Sequence, residues 1–169
     1  MSNPVERLID GDPNTFWLAG DKFGGSYPFT LEFEVPDPVL VRGLLILPRQ
    51  NHRDWEGQVR SYEVYINQNG KWDKLCEGEL AASLDAKEIL FPESITLTKL
   101  RLRLLEGFSA RNTGYWDRKP DIGFCFVQGD YVDRCVSIAE VDFLCDGSAA
   151  EKTLRVEYRE GKTDSDEIY

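Results

Sequence analysis

Histidine is almost missing from this sequence: one in 169 residues, His52. That excludes a zinc site built on two imidazoles and leaves a single candidate base for a Ser-His or Cys-His nucleophile. No run of about eighteen apolar residues occurs, so no segment reads as a membrane-spanning helix. The start, Met1-Ser2-Asn3-Pro4, lacks the charged-then-apolar pattern of a signal peptide. The cysteines at 76, 125, 135 and 145 show no CxxC spacing, which disfavours zinc and redox chemistry. Positive charge is also short, with 20 Lys and Arg against 30 Asp and Glu for a net charge of -10. Nucleic acid and anionic membranes reward clustered Lys and Arg and are disfavoured as partners. Alanine is scarce, which tilts the balance from helices to strands.

Aromatic residues are plentiful, at nine Phe, seven Tyr and four Trp. From Tyr27 the apolar pattern has the period of a half-buried strand, broken by turn residues at intervals that suit an all-β domain. Leu31 and Phe33 alternate with Glu32 and Glu34, and Pro36-Asp37-Pro38 is expected to stop that run. Val39 to Leu47 reads as a strand covered on both faces. Tyr62, Val64 and Ile66 alternate with Glu63, Tyr65 and Asn67, and Gln68-Asn69-Gly70 predicts a tight hairpin turn before Trp72 and Leu75. Ala86 to Phe91 gives a short strand. In Lys99 to Leu105 the leucines point inward and Arg101 and Arg103 outward. Val136 to Leu144 reads as a buried strand with an acidic interruption. Seven strands without a long helical pattern predict an all-β sandwich or jelly roll. Trp17, Phe33 and Trp72 are expected in its core, and Cys76 and Cys145 as buried thiols. Cys125 and Cys135 lie in one irregular stretch, where spacing alone leaves both a bridge and two free thiols open.

That stretch, Gly107 to Arg134, is long for a loop and rich in aromatics, including Tyr115 and Trp116. Both a ligand-binding insertion and an extra packed strand fit it. Residues 1–147 read as one module and 148–169 as a C-terminal tail, in which Thr153 to Tyr158 could add an edge strand.

Near the N-terminus, Asp10-Gly11-Asp12-Pro13-Asn14-Thr15 gathers hard oxygen donors in a chain bent by Gly and Pro, a composition suited to calcium and equally to an ordinary turn. Asp10-Gly11-Asp12 with Thr15-Phe16-Trp17, then Leu47-Pro48-Arg49-Gln50, Gly57 with Tyr62-Glu63-Val64-Tyr65, Asn69-Gly70 with Trp72, and Ser137-Ile138-Ala139-Glu140-Val141 follow one another along the chain. In this order they resemble the discoidin-like domains, the coagulation-factor type C domains, in the version of carbohydrate-binding module family 32. The resemblance covers about Val5 to Leu144 and implies a jelly-roll β-sandwich. It also implies a structural calcium held by the carboxylates of Asp10 and Glu140, by Thr15, and by the carbonyls of Arg7, Asp12 and Ala139. A metal there would explain an acid interrupting an apolar strand.

Sugar-binding relatives use loops at one end of the sandwich, where an aromatic platform meets a few oriented polar groups. Leu18 stands where the family has His, and the loop after Pro48 is longer than expected. Arg49 carries over best, its planar fork suited to paired hydroxyls. Asn51 and His52 can read hydroxyls, Trp55 is a candidate platform, and Tyr115 with Trp116 is a second. A solvated loop and a satellite hydrophobic cluster are the plain structural readings of the same residues.

The resemblance implies a non-catalytic module that targets a covalently linked glycoside hydrolase to a glycan carrying a galactose or N-acetylhexosamine-type sugar. It implies a secreted, periplasmic or cell-surface setting. A protein-interaction module is the alternative within the same family. With 30 carboxylates, a pair at glycosidase spacing arises by chance and is no argument for an enzyme.

Overall fold

A computed structural model describes residues 4–20, 27–50, 57–107, 136–145 and 155–160. Among the described residues, a 3-10 helix at Val5–Ile9 is followed by seven antiparallel strands: β1 (Trp17–Ala19), β2 (Phe29–Pro48), β3 (Val59–Gln68), β4 (Lys71–Glu79), β5 (Lys87–Gly107), β6 (Val136–Cys145) and β7 (Arg155–Glu160). Their order is β1-β6-β2-β5-β3-β4, with β7 on β2.

Two long strands make this one sheet into a two-layer sandwich. The first part of β2, Phe29 to Glu34, pairs with Leu104 to Lys99 of β5 and with β7. The second part pairs with the beginning of β5 and with β6. Between the two, the β2–β5 register shifts at Glu34/Val39 and again at Val41/Gly43. Such irregularities bend a strand and let it pass from one layer to the other. Facing rings then meet across the core, Phe33 on Phe143 at 6.0 Å and Trp17 on Phe29 at 6.3 Å, both edge to face.

The expected strand break at Pro36-Asp37-Pro38 is thus a bulge inside one continuous strand. All three residues are exposed at the register shift, where proline deprives the ladder of nothing. Likewise Ala86 to Phe91 and Lys99 to Leu105 are two parts of β5. Val39 to Leu47 is covered on one face only: Val41, Leu44 and Ile46 are buried, Leu45 and Leu47 are half-buried, and Leu40 is 46% exposed. The hairpin is as expected, with Asn69 (φ 56°) and Gly70 (φ 78°) forming its two-residue turn. The tail contributes a strand, Arg155–Glu160, paired with β2, and its Tyr158 ring lies 5.1 Å from Trp17; Thr153 lies outside the described residues.

Trp17 and Phe33 lie in the core, but Trp72 does not. It is half-buried on the outer side of the sheet, with the Arg101 guanidinium 4.1 Å above its ring. Leu100, Leu102 and Leu104 are fully buried, and Arg101 and Arg103 take the opposite face as predicted. That face is not solvated, however. Arg101 pairs with Glu32 at 2.9 Å and Arg103 with Glu63 at 3.2 Å, and the Arg101 and Arg103 side chains are only 9% and 13% exposed. Cys76 and Cys145 are free and half-buried at the core margin rather than enclosed. The Cys125 and Cys135 question lies outside the described residues.

Candidate functional site

The 3-10 helix buries Val5 and Leu8 and delivers Asp10 at its end. The next residues fold back on the Asp10 carboxylate: the Asp12 amide donates to Oδ1 at 2.9 Å, and the Thr15 hydroxyl donates to Oδ2 at 2.5 Å. The same hydroxyl lies 3.1 Å from the Asp12 carbonyl oxygen, and the Asn14 amide donates to the Asp12 carboxylate. Gly11 permits the bend with φ at 74°. Arg7 sits in the last turn of the helix, its amide bonded to the Pro4 carbonyl.

On the facing strand, the β2–β6 register jumps from Leu47↔Glu140 to Pro48↔Ile138, leaving Ala139 as an unpaired bulge residue. The bulge resets the alternation of β6. Ile138, Val141 and Phe143 are buried, and Glu140 is turned out of the core beside Asp10. Its Oε1 is buried with no hydrogen-bond partner. Desolvation, followed by the Asp10 and Asp142 carboxylates, pushes the Glu140 carboxyl up to about 8, against the Gly11 amide. Burial also opposes the charge on Asp10, but the Thr15 hydroxyl, the Asp12 amide, the Glu140 carboxyl and Arg7 outweigh it and hold Asp10 below the usual range.

Two carboxyls side by side must share a proton or a cation. With the Thr15 hydroxyl and the Asp12 carbonyl they form an all-oxygen donor set, the hard chemistry that calcium takes. The orphaned Glu140 oxygen leaves one acceptor for such an ion. Among the described residues no group of three or more His, Cys, Asp and Glu converges, so carbonyls and a hydroxyl would supply the remaining ligands. Of the expected ligand residues, Asp10, Asp12, Thr15 and Glu140 are brought together, with Ala139 beside Glu140 in the bulge.

The turn also leads directly to Arg49. Trp17 enters the core, so the preceding Phe16 takes the opposite side, and the Arg49 guanidinium stacks 4.0 Å from its ring centroid. Next in the chain, the Gln50 side-chain amide donates to the Pro48 carbonyl at 2.7 Å and to Leu84 at 2.8 Å, tying the end of β2 to the loop before β5. Gly57 closes the same end. Its φ is 82°, its carbonyl accepts the Ser137 amide at 2.9 Å, and a Cβ there would lie 2.7 Å from the Ser137 backbone. Leu18 pairs with Ser137 and is half-buried. Phe16 and Gln50 were not singled out as site residues from the sequence. Both stand in the motifs that carry the resemblance, but the Arg49 stacking on Phe16 and the Leu84 partner of Gln50 depend on segments distant in sequence. Asn51, His52, Trp55, Tyr115 and Trp116 lie outside the described residues.

A two-layer antiparallel jelly roll, with an oxygen-rich N-terminal turn against its last long strand, defines the class of small β-sandwich modules to which the chain's relatives belong. A model of the F5/8 type C domain matches residues 1–119, and the chain belongs to this discoidin-like family. Among solved structures it resembles CpGH89CBM32-5 from Clostridium perfringens, in complex with GalNAc-beta-1,3-galactose (TM-score 0.63, 22% identity, 85% of each chain covered). It is similar also to the family 32 module of C. perfringens NanJ in complex with galactose (TM-score 0.63, 21% identity, 84% of this chain and 85% of that one). A third is the C-terminal domain of a Bacteroides fragilis chitobiase (TM-score 0.61, 15% identity, 88% and 84%). No curated protein sequence matches the chain.

Proposed function

We propose that this domain is a non-catalytic carbohydrate-binding module that holds a linked glycoside hydrolase against a galactose- or N-acetylhexosamine-bearing glycan outside the cell. The observation that carries this reading is the Arg49–Phe16 pair. It sets a planar array of donors beside an aromatic ring at one end of a sandwich whose structural neighbours include galactose and GalNAc complexes. Stacking on Phe16 holds the guanidinium in place before a ligand arrives, which lowers the entropy cost of capturing paired hydroxyls. Asn51, His52 and Trp55 follow Arg49 in the chain, and Tyr115 with Trp116 forms the second aromatic candidate. Single-site affinity is expected to be weak, because the hydroxyls of an exposed sugar are already well solvated.

Calcium is the cation proposed for the N-terminal turn. Asp10 and Glu140 would bind it through their carboxylates and Thr15 through its hydroxyl and carbonyl, with the carbonyls of Arg7, Asp12 and Ala139 completing the shell. Its contribution is to neutralise the facing carboxyls and tie the N-terminal turn to β6. Because Thr15 adjoins Phe16, the same tie would steady the ring beneath Arg49.

Calorimetric titration with galactose, GalNAc and their β-linked disaccharides tests the function. Saturable binding that Arg49→Ala weakens about tenfold or more, a loss of about 1.4 kcal/mol or more, supports it. A folded domain that binds none of these sugars, or an Arg49→Ala variant that binds them unchanged, contradicts it.

A further inference from the structure

A second polar site lies at the same end of the sandwich, beneath Pro48. A pocket partly open to solvent has apolar walls that include Ile46, Pro48, Leu80 and Ile138, and three polar residues share its lining: Gln58, Lys87 and Ser137. It has room for about one water molecule. Gln58 is 3% exposed, and its Nε2 is buried with no hydrogen-bond partner. A buried amide donor left unsatisfied is costly, so an acceptor is expected to occupy such a position.

Lys87 adds charge to the same place. It is half-buried, and its ammonium donates to the Ser83 carbonyl, leaving two of its three donors for other acceptors. Among the described residues no carboxylate lies within ion-pair distance of it. Desolvation lowers its amine to about 8, with Asp85 offsetting part of that from a distance. Gln58, with its orphaned amide donor, and Lys87, with an ammonium that no described carboxylate pairs, thus line one pocket in a chain of net charge -10.

We propose that Gln58 and Lys87 form a binding site for the carboxylate of an acidic sugar, one carboxylate oxygen entering the pocket and the second meeting the ammonium at its mouth. The chemistry fits better than a neutral hydroxyl does. An ammonium and an amide NH₂ only donate and an ionised carboxylate only accepts, and its charge offsets that of the ammonium as a neutral hydroxyl cannot. Pro48 lines the pocket and precedes Arg49, and Ser137 pairs with Leu18 two residues beyond Phe16, so a sugar ring near Arg49 and an acid group in the pocket belong to one end of the fold. The assignment to a sugar, as opposed to any carboxylate, rests on the glycan-binding reading above.

The test is a nitrogen-proton NMR titration of the whole domain with glucuronate, acetate and glucose, following the Gln58 side-chain amide. Glucuronate is expected to shift it saturably and at least tenfold more tightly than acetate, and glucose not at all. Lys87→Met should weaken glucuronate at least tenfold while Lys87→Arg retains it. The wild-type comparison of glucuronate with glucose needs no variant and stands even where Lys87→Met does not fold. No saturable shift with either carboxylate, an equal shift with glucose, or unchanged affinity in a folded Lys87→Met variant overturns the site. Acetate binding as tightly as glucuronate overturns its assignment to a sugar. A domain that takes glucuronate at Gln58 but no galactose or GalNAc supports this site and contradicts the neutral-sugar reading, so the two fail separately.

Discussion

At the scale of single residues, Glu140 controls more than its own strand. Its carboxyl, ordinarily near 4.5 and pushed up to about 8, favours the folded state fully below the ordinary value, and that advantage is lost as pH rises through about 8. Desolvation is the main cause, Asp10 and Asp142 add to it, and the Gly11 amide opposes it. In chelator the melting temperature is therefore expected to fall between about pH 5 and pH 8, and in millimolar calcium this fall should disappear, because a bound cation favours the ionised form. Thermal unfolding at several pH values, with and without calcium, measures both. Glu140→Gln gives the complementary result: a higher melting temperature than the parent at pH 8 in chelator, and no further rise on adding calcium. An identical response to calcium in Glu140→Gln and the parent would remove Glu140 from any metal site. The donors of the turn were legible because they are local, six positions of Asp, Gly, Pro, Asn and Thr. Gln58 and Lys87 were not, because a donor is orphaned only once strands distant in sequence have packed around it.

At the scale of elements, the outer side of the β2–β5–β3–β4 region is held by a ladder of paired charges rather than by solvent. Glu63 takes Lys74 at 2.9 Å and Arg103 at 3.2 Å, and accepts from the Tyr65 hydroxyl at 3.2 Å. Burial works against the Glu63 charge, but these partners more than offset it and hold the carboxyl below its ordinary 4.5. Its stabilisation is present above about 4.5 and is lost as pH falls through the lowered value, the opposite end of the scale from Glu140. Trp72 caps Arg101 in the same ladder. Trp72→Ala is expected to cost about 1 to 2 kcal/mol in denaturant unfolding, with sugar affinity unchanged because the residue lies on the sheet face and not among the candidate sugar ligands. Loss of sugar binding with stability intact would instead make Trp72 part of a ligand surface. Alternation alone gave the inward leucines and the outward arginines, but not what covers the arginines. That depends on which strand lies beside which, and the sequence does not state the register between Trp72 and Arg101. The long strands were hidden for a related reason: prolines at 36 and 38 look like terminators until the bulge they occupy is known.

For the whole molecule, the two layers share β2 and β5, so the N-terminal turn, the end of β2 and the start of β6 converge although they are far apart in the chain. Thr15 joins the oxygen donors to Phe16, Phe16 carries Arg49, and Gly57 with Ser137 closes the same end. Cation binding and sugar binding are thus expected to be coupled: a ligand that orders the turn reduces what the sugar must order. The most direct measurement is calorimetric titration of galactose or GalNAc into the domain with saturating calcium and again with chelator, beside Arg49→Ala. Saturable binding that weakens several-fold in chelator and about tenfold or more in Arg49→Ala is the expected result. Binding that ignores both changes, or a folded, calcium-loaded domain that takes up neither sugar, would contradict the assignment of this end of the sandwich to glycan recognition.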